Sequence, residues 1–203
     1  MSRRETVVLP FLEVSRLKGF SMYEHAQRYA EQSASVEDFG CVSNIVRARF
    51  DDHQTFRFSA QVPCLEYISL LIENALLLRT NRAGRVYAGF EKLSRMEPVV
   101  ERYLRIADLS ERVYVFGEAD WQPPRHPNMR AVVVSSDSPL NLEWFVIVDS
   151  PSLRVALVAR DGDGFQTPVL EERRFHAFKT SDPDFVARLS EAAEDLIDDL
   201  LAA

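Results

Sequence analysis

GRVYAGFEKLSRMEPVVERYLRIADLSERVYVFG, residues 84–117, is the stretch that decides the fold we predict for this chain. Two short runs of β-branched and aromatic residues, Arg85–Phe90 and Val113–Phe116, flank about four turns of amphipathic helix. Strand, helix and strand of these lengths form a βαβ unit, because a parallel strand pair needs a long crossover connection. We therefore predict an α/β fold, with a mixed sheet built around this unit.

The helix inside this stretch carries start signals of its own. Ser94 and Glu97 have the spacing of a capping box, and Pro98 lies in the first turn, where a missing N–H costs little. Apolar side chains at helical spacing predict its buried face, formed by Val100, Tyr103, Leu104 and Ala107. The pattern determines a fold class and contains no catalytic motif.

The residues after this unit predict an antiparallel hairpin and a closing helix. Trp144–Asp149 and Arg154–Arg160 are typical strands, and the four residues between them are too few for a parallel crossover. Ala131–Ser135 and Arg173–Lys179 are two further predicted strands. Asp182–Leu201 predicts an amphipathic C-terminal helix that its first residue caps.

The first part of the chain predicts two further elements. Ser21–Gln32 combines a capping box with an apolar face and predicts a helix. Ser33–Cys41 indicates a loop, and Asn44–Phe50 with Thr55–Ala60 indicates a β-hairpin. We therefore divide the chain into an N-terminal extension, residues 1–61, and a main domain, residues 62–203, on which the extension packs.

The most apolar predicted helix is Leu65–Arg79. Its first apolar face consists of Leu65, Ile68, Ile72, Ala75 and Leu76, and a second apolar side consists of Leu70, Leu71, Leu77 and Leu78. A helix that is hydrophobic nearly all round is expected to be buried. Either the N-terminal segment covers it or a second copy of the chain does, and the second reading predicts a homodimer through this helix.

Composition and charge argue against several classes of protein. The formal net charge of −7 and a pI near 5.2 argue against nucleic acid as the main partner, because binding phosphates needs a basic surface. No apolar run approaches the ~20 residues of a membrane span, so we expect no membrane partner and a cytoplasmic location. Cys41 and Cys64 lack the spacing of a zinc site and are expected to be reduced thiols.

The chain also lacks the signatures of common catalytic and cofactor sites. It has no dinucleotide fingerprint, phosphate-binding loop or serine nucleophile elbow, and its four histidines lie in four separate elements. We therefore predict a protein that is not an enzyme and needs no cofactor or metal. The alternative is an unusual enzyme that uses Glu118, Asp120 and Glu143 as acid–base groups or with a divalent metal.

Glu143 and Trp144 stand together at the start of a predicted buried strand. A carboxylate there needs a partner, and Arg102, Arg105 or Arg174 is expected to provide it as an ion pair. The alternative is a contact of Glu143 with a ligand or a signalling partner. Trp144 is interpreted either as an anchor of the strand in the core or as a residue that stacks on a ligand.

Several short motifs, in this order and spacing, are similar to those of one known family. They are Ile72-Glu73, Gly89-Phe90, Arg102-Tyr103, Asp137–Leu140, Glu143-Trp144 and Arg174-Phe175. From about Leu65 to its C-terminus the chain resembles the DICT sensory domain, named for diguanylate cyclases and two-component signalling proteins. The resemblance implies a non-catalytic sensory or interaction module of bacterial signalling. Glu91 and His176 depart from the family pattern, which implies a different charge preference if a ligand contacts them.

Together these observations predict a ligand pocket at the carboxyl ends of the parallel strands. Polar residues would line or brace it, namely Glu73, Arg102, Glu143 and Arg174, and aromatic walls would come from Phe90, Tyr103 and Trp144. A small ligand bound there would act on the loop Glu118–Asn128, and the protein would signal to partner proteins in trans. The alternative is an obligate interaction protein without a pocket, dimeric through the leucines of the Leu65–Arg79 helix.

Overall fold

The computed structural model describes residues 12–14, 19–33, 36–43, 52–78, 83–163 and 169–201. The α-helices in these ranges are α1 (Met22–Gln32), α2 (Val62–Leu77), α3 (Val100–Asp108) and α4 (Pro183–Leu201). The strands are β1 (Leu12–Val14), β2 (Glu37–Cys41), β3 (Thr55–Gln61), β4 (Arg85–Lys92), β5 (Arg112–Glu118), β6 (Met129–Val134), β7 (Glu143–Ser150), β8 (Leu153–Asp161) and β9 (Arg174–Thr180). Short 3₁₀-helices lie at Leu93–Val99, Pro139–Leu142 and Leu170–Glu172.

One mixed sheet joins these strands in the order β1-β6-β5-β4-β7-β8-β9-β3-β2. Strands β4, β5 and β6 are parallel neighbours, and β4 also pairs antiparallel with β7. Strands β7 and β8 form an antiparallel hairpin that closes at the pair Ser150↔Leu153. The predicted α/β class, the βαβ unit and the antiparallel hairpin are thus confirmed.

Helix α3 is the crossover between β4 and β5, but it begins later than the capping box predicts. Residues Leu93–Val99 form a 3₁₀-helix, and the α-helix starts only at Val100. Pro98 explains the delay, because it has no N–H to donate and its ring would clash with the carbonyl of residue 94. The capping box is therefore wrong, and the N–H and hydroxyl of Ser94 both donate to the carboxylate of Asp120 instead.

The N-terminal part of the chain confirms one predicted element and corrects another. Helix α1 forms as expected, and the Glu24 N–H donates to the Ser21 Oγ cap at 3.0 Å. The predicted loop Ser33–Cys41 is wrong, because its second half is the edge strand β2, parallel to β3. Tertiary pairing overrides the poor strand propensity of this segment, and Phe39 stacks on Phe56 with ring centroids 4.6 Å apart.

The predicted hairpin of the N-terminal segment is wrong in the pairing of its second strand, because β3 lies between β9 and β2 and both of its edges are occupied. Its first strand, Asn44–Phe50, lies outside the described residues. Its second strand is β3, which pairs antiparallel with β9 from Thr55↔Thr180 to Gln61↔Arg174. The segment thus contributes strands to the same sheet as the main domain, and the boundary between residues 61 and 62 stays a prediction.

Helices cover both faces of this sheet. Helices α2 and α3 pack on one face, and α1 and α4 pack on the other; we call these the α2–α3 face and the α1–α4 face. Strand β4 shows the alternation, since Val86 and Ala88 face α2 and α3 whereas Tyr87 faces α4. A Cβ on Gly89 would collide with the ring of Phe145, so glycine lets that ring lie across β4 on the α1–α4 face.

Helix α2 buries one apolar stripe and leaves part of the second in contact with solvent. Leu65, Ile68 and Ile72 are fully buried against the sheet, whereas Leu70 is 38% exposed and Leu78 is 84% exposed. Helix α1 lies on the opposite face, so it does not cover α2. None of the described helices combines the length and apolar character needed to cross a lipid bilayer.

Candidate functional site

A cavity of ≈ 620 Å³ lies on the α2–α3 face of the sheet. The last residues of β4 and the first residues of β7 line it, together with α2, α3 and the 3₁₀-helix that precedes α3. Strand β4 runs parallel to β5, so the cavity is at the carboxyl end of a parallel strand, where α/β sheets tend to bind ligands. Its volume falls in the range of roughly 300–1,000 Å³ that is usual for small-molecule sites.

Polar and edge-on contacts hold the aromatic side chains of this cavity in place. The indole N–H of Trp144 donates to Ser69 Oγ at 3.0 Å, and its ring meets Phe175 edge-on with centroids 6.4 Å apart. Phe90 makes a similar contact with Tyr103, at 5.5 Å and an interplanar angle of 71°. The remaining apolar lining includes Pro63, Tyr67, Leu70, Pro98, Val99, Leu142 and Val146.

The structure brings most of the predicted ligand-binding residues to this one cavity. The residues that line it are Phe90, Arg102, Tyr103, Glu143 and Trp144, together with Glu73. Arg174 does not line it, and its neighbour Arg173 does. Ligand binding by these residues stays a prediction, whereas their common location is a property of the fold.

The first polar group of the cavity is built around Glu73 of α2. This carboxylate is 7% exposed, accepts a hydrogen bond from the Tyr103 hydroxyl at 3.1 Å, and pairs with Arg102 Nε at 3.4 Å. Arg102 also donates to Asn74 Oδ1 at 2.6 Å. Burial raises the pKa of Glu73, although the hydrogen bond from Tyr103 and the charge of Arg102 oppose the shift. The group holds α2 and α3 together at the cavity wall.

A second polar group, around Glu91, is not among the predicted site residues. Its Oε2 lies 2.8 Å from an Arg95 terminal nitrogen and 3.2 Å from one of Arg173. The i, i+4 spacing of Glu91 and Arg95 indicates the first of these two ion pairs in the sequence. The second ion pair, between Glu91 and Arg173, depends on how the segment before β9 lies against the end of β4, which no local pattern indicates.

The structure places Arg174 away from the cavity, which corrects its predicted role as a pocket residue. Its guanidinium is exposed and lies 2.9 Å from Cys41 Sγ on the edge strand β2. The strand explains the error, because successive residues of β9 point to opposite faces. Phe175 packs in the core of the α2–α3 face, so Arg174 points away from it.

Glu143 has a different partner from the one the sequence predicts. Its carboxylate is 2% exposed and accepts hydrogen bonds from the Ser21 hydroxyl, from the Met22 N–H at 2.8 Å and from the Tyr23 N–H at 3.3 Å. These donors are the first residues of α1, so the expected ion pair with Arg102, Arg105 or Arg174 is wrong. A carboxylate satisfies the free N–H groups at a helix start and interacts favourably with the helix dipole.

The burial of Glu143 affects its protonation. Burial raises its pKa to about 7, although the hydrogen bonds from Ser21, Tyr23 and Met22 and the charge of Arg160 all act in the opposite direction. Trp144, the next residue, packs on the α2–α3 face, while Glu143 reaches α1 on the other face. The first two residues of β7 therefore connect the cavity wall to the start of α1.

Two of the three carboxylates of the enzyme hypothesis, those of Asp120 and Glu143, have separate partners. Asp120 accepts two hydrogen bonds from Ser94, whereas Glu143 accepts its hydrogen bonds from the start of α1. Partial burial raises the pKa of Asp120, but the bonds from Ser94, the bond from its own backbone N–H and the charge of Lys92 together outweigh it, so the pKa is lowered. Within the part of the chain that the structure describes, no three His, Cys, Asp or Glu residues are grouped to hold a metal ion.

Comparison with known proteins finds a family model that matches the central part of the chain. The model of the DICT family, described as a sensory domain in diguanylate cyclases and two-component systems, matches residues 64–161. The resemblance predicted from the sequence is thus confirmed, although the matched segment ends before β9 and α4. No curated protein matches the chain.

Among solved structures, the crystal structure of a polyphosphate kinase from Porphyromonas gingivalis is similar to this fold. The two share 12% sequence identity with a TM-score of 0.50, over 76% of this chain. The chain spans only 29% of the length of that protein. At this identity the likeness shows the fold alone.

Proposed function

We propose that this chain, which carries a DICT domain at residues 64–161, is a non-catalytic sensory module that binds a small ligand in the cavity on the α2–α3 face. The cavity is the observation that carries the proposal. Its size suits a small molecule, its aromatic rings are held in place, and most of its lining lies inside the matched segment.

We propose that ligand binding changes the position of the loop Glu118–Asn128 and that this change carries the signal. Asp120 in this loop accepts bonds from the Ser94 N–H at 2.9 Å and from its hydroxyl at 2.5 Å. Ser94 precedes Arg95, which lines the cavity, in the same 3₁₀-helix. A ligand that shifts this helix would therefore shift the loop, provided that it binds the two arrangements with different affinity.

The absence of catalysis is also part of the proposal. The carboxylate of Glu143 is enclosed by the start of α1, and that of Asp120 is engaged by Ser94. Neither therefore has the open position facing the cavity that a general acid or base needs. The proposed partners are signalling proteins in trans, and a cytoplasmic location stays a prediction.

Native mass spectrometry of protein purified gently from its own host or a close surrogate tests the ligand. We expect a monomer with a discrete small-molecule adduct. Leu70→Trp would fill the cavity from α2 and should abolish the adduct, since Leu70 is part of the lining. The matched control is Leu78→Trp, at the residue that follows the last residue of α2 and is 84% exposed, which should retain the adduct. An adduct that survives Leu70→Trp would place the ligand elsewhere and contradict the proposal.

A second candidate function is a homodimer that forms through α2 and needs no ligand. The observation that favours it is the exposed apolar surface of this helix, where Tyr67 is 40% exposed and Leu78 is 84% exposed. A dimer without an adduct in the same spectrum, dissociated by Leu78→Glu, would support this function. A monomer at micromolar concentration would exclude it as an obligate state.

A further inference from the structure

We propose that the ligand of this cavity is an organic cation, an ammonium group on an apolar body, whose charge is bound by the Glu66 carboxylate and the rings of Trp144 and Phe175. The proposal rests on the proposed function, since it names the ligand class of the same cavity. It follows from the order of side chains along one stripe of α2 and from the charges that line the cavity.

One stripe of α2 supplies polar side chains to the cavity wall in a fixed order. The residues of this stripe that line the cavity are Glu66, Ser69, Leu70 and Glu73. Their i, i+3, i+4 and i+7 spacing places them on the same face of the helix. At one end Glu73 is engaged by Arg102 and Tyr103. At the other end Glu66 is exposed and has no hydrogen-bond or ion-pair partner among the described residues.

The arginines of the cavity are balanced by its carboxylates. The charged residues that line it are Arg95, Arg102, Arg173, Glu66, Glu73, Glu91 and Glu143. Each arginine lies within 3.4 Å of a glutamate oxygen, and the Glu143 carboxylate accepts from the start of α1. Arg95 Nε finds no acceptor in the described part of the chain, but it is buried and presents no donor to the cavity. The charge that remains available to a ligand is therefore the carboxylate of Glu66, which attracts a cation.

Two aromatic rings form a corner beside this carboxylate. Trp144 and Phe175 both line the cavity and meet edge-on, with an interplanar angle of 83° and centroids 6.4 Å apart. The Trp144 indole donates to Ser69, which lies one helical turn from Glu66 on the same face of α2, where Cβ atoms are roughly 5–6 Å apart. A cation is attracted to the face of an aromatic ring, most strongly to that of tryptophan. An ammonium group beside Trp144 would therefore also lie beside Glu66.

The rest of the cavity suits an apolar body on the same molecule. Glu73 is seven residues from Glu66, about 10 Å along the helix, so the cavity extends well beyond the corner. A second edge-on pair, Phe90 and Tyr103, lies at that end, and the Tyr103 hydroxyl is already engaged by Glu73. The body of the ligand would therefore meet ring surface there and no unpaired charge.

Isothermal titration calorimetry at neutral pH with three probes of similar shape tests this inference. The probes are the cation 2-naphthylmethylammonium, the neutral 2-naphthalenemethanol and the anion 2-naphthoate. We expect the cation to bind about tenfold or more tightly than the alcohol, because the ring faces and the carboxylate both attract its charge. We expect 2-naphthoate to bind most weakly, because Glu66 repels it.

Two exposed glutamates provide a matched pair of variants. Glu66→Gln should remove most of the preference for the cation over the alcohol. Glu101→Gln should keep it, because Glu101 is exposed on α3 and does not line the cavity. This control also separates the proposed contact from a general attraction of cations to a chain of net charge −7.

The contribution of the rings has a variant of its own. Trp144→Leu keeps an apolar side chain but removes the ring face, so it should lower the preference for the cation as well. A thermal melt shows whether each variant is folded. Glu66→Gln decides the test if Trp144→Leu does not fold, since Glu66 is exposed and its substitution leaves the core intact.

The possible failures are distinguishable. Equal binding of cation and alcohol, or tightest binding of 2-naphthoate, would overturn the ligand class and leave the cavity as a binding site. An equal loss of preference in Glu66→Gln and Glu101→Gln would contradict the role of Glu66. If no probe binds while protein from the host retains an adduct, the inference fails and the proposed function stands. If both are absent, the ligand pocket itself is overturned.

Discussion

The two faces of the sheet use the same strands in opposite ways. On the α1–α4 face, large side chains such as Phe145, Phe185 and Leu196 are at most 2% exposed and fill the space between sheet and helices. On the α2–α3 face, the same sheet leaves a cavity of ≈ 620 Å³ whose walls are held by ion pairs and ring contacts. One face thus stabilises the fold by dense packing, and the other keeps a space that polar contacts shape.

The largest loss of stability is expected when a large side chain is removed from the densely packed α1–α4 face. Phe185→Ala in α4 should lower the free energy of unfolding by about 3–5 kcal/mol, because the buried ring would leave a void. Urea unfolding followed by far-ultraviolet circular dichroism measures the loss. A loss below about 1 kcal/mol would mean that the α1–α4 face is not densely packed.

The buried carboxylate of Glu143 is expected to make the free energy of unfolding depend on pH. The raised pKa of Glu143, about 7, means that folding favours its protonated form, so stability is full below its unfolded pKa near 4.5. As the pH rises from about 4.5 to 7, up to about 3 kcal/mol of unfolding free energy should be lost. Urea titrations across this range measure the slope.

The control for this prediction is Glu143→Gln, which keeps the shape of the side chain and cannot titrate. It should show a flatter pH profile than the wild type. Part of the slope should remain, because burial also raises the pKa of Glu73 on the other face. Identical profiles for variant and wild type would show that Glu143 is not the group responsible.

A smaller loss of stability is expected where Ser94, in the 3₁₀-helix of the cavity wall, contacts the loop Glu118–Asn128. Asp120→Ala removes the acceptor of two hydrogen bonds from Ser94 and should cost about 1 kcal/mol of unfolding free energy. Amide hydrogen exchange in the loop Glu118–Asn128 should become faster, and more so than in the β7–β8 hairpin. Unchanged exchange would remove the structural basis of the proposed output.

The smallest effect is expected at the open side of the cavity. Tyr67→Ala removes a ring that is 40% exposed and should change the unfolding free energy by less than about 1 kcal/mol. The same variant should reduce the small-molecule adduct seen by native mass spectrometry, because the ring lines the cavity. A large loss of stability without a change in binding would mean that Tyr67 belongs to the packed core.

Sequence reasoning succeeded where the signal is local. The Ser21 cap of α1 and the short link between β7 and β8 are read directly from neighbouring residues, and the structure confirms both elements. It failed where a partner lies far along the chain. Glu143 meets Ser21 across 122 positions, so no spacing rule indicates the contact. Arg173 precedes the first residue of β9, and strand alternation therefore does not determine its direction.

The bond between Glu143 and the start of α1 also sets an order of events during synthesis. Helix α1 is synthesised before Glu143, whose carboxylate accepts hydrogen bonds from its first residues. Glu143 leaves the ribosome 122 residues after Ser21, about 6 to 24 s later at usual elongation rates. Strand β3 waits a similar time for β9, since Thr55 pairs with Thr180. The early part of the nascent chain therefore spends seconds without the carboxylate that accepts from the start of α1 and with the β9 edge of β3 unpaired, a period in which chaperones would protect it from aggregation.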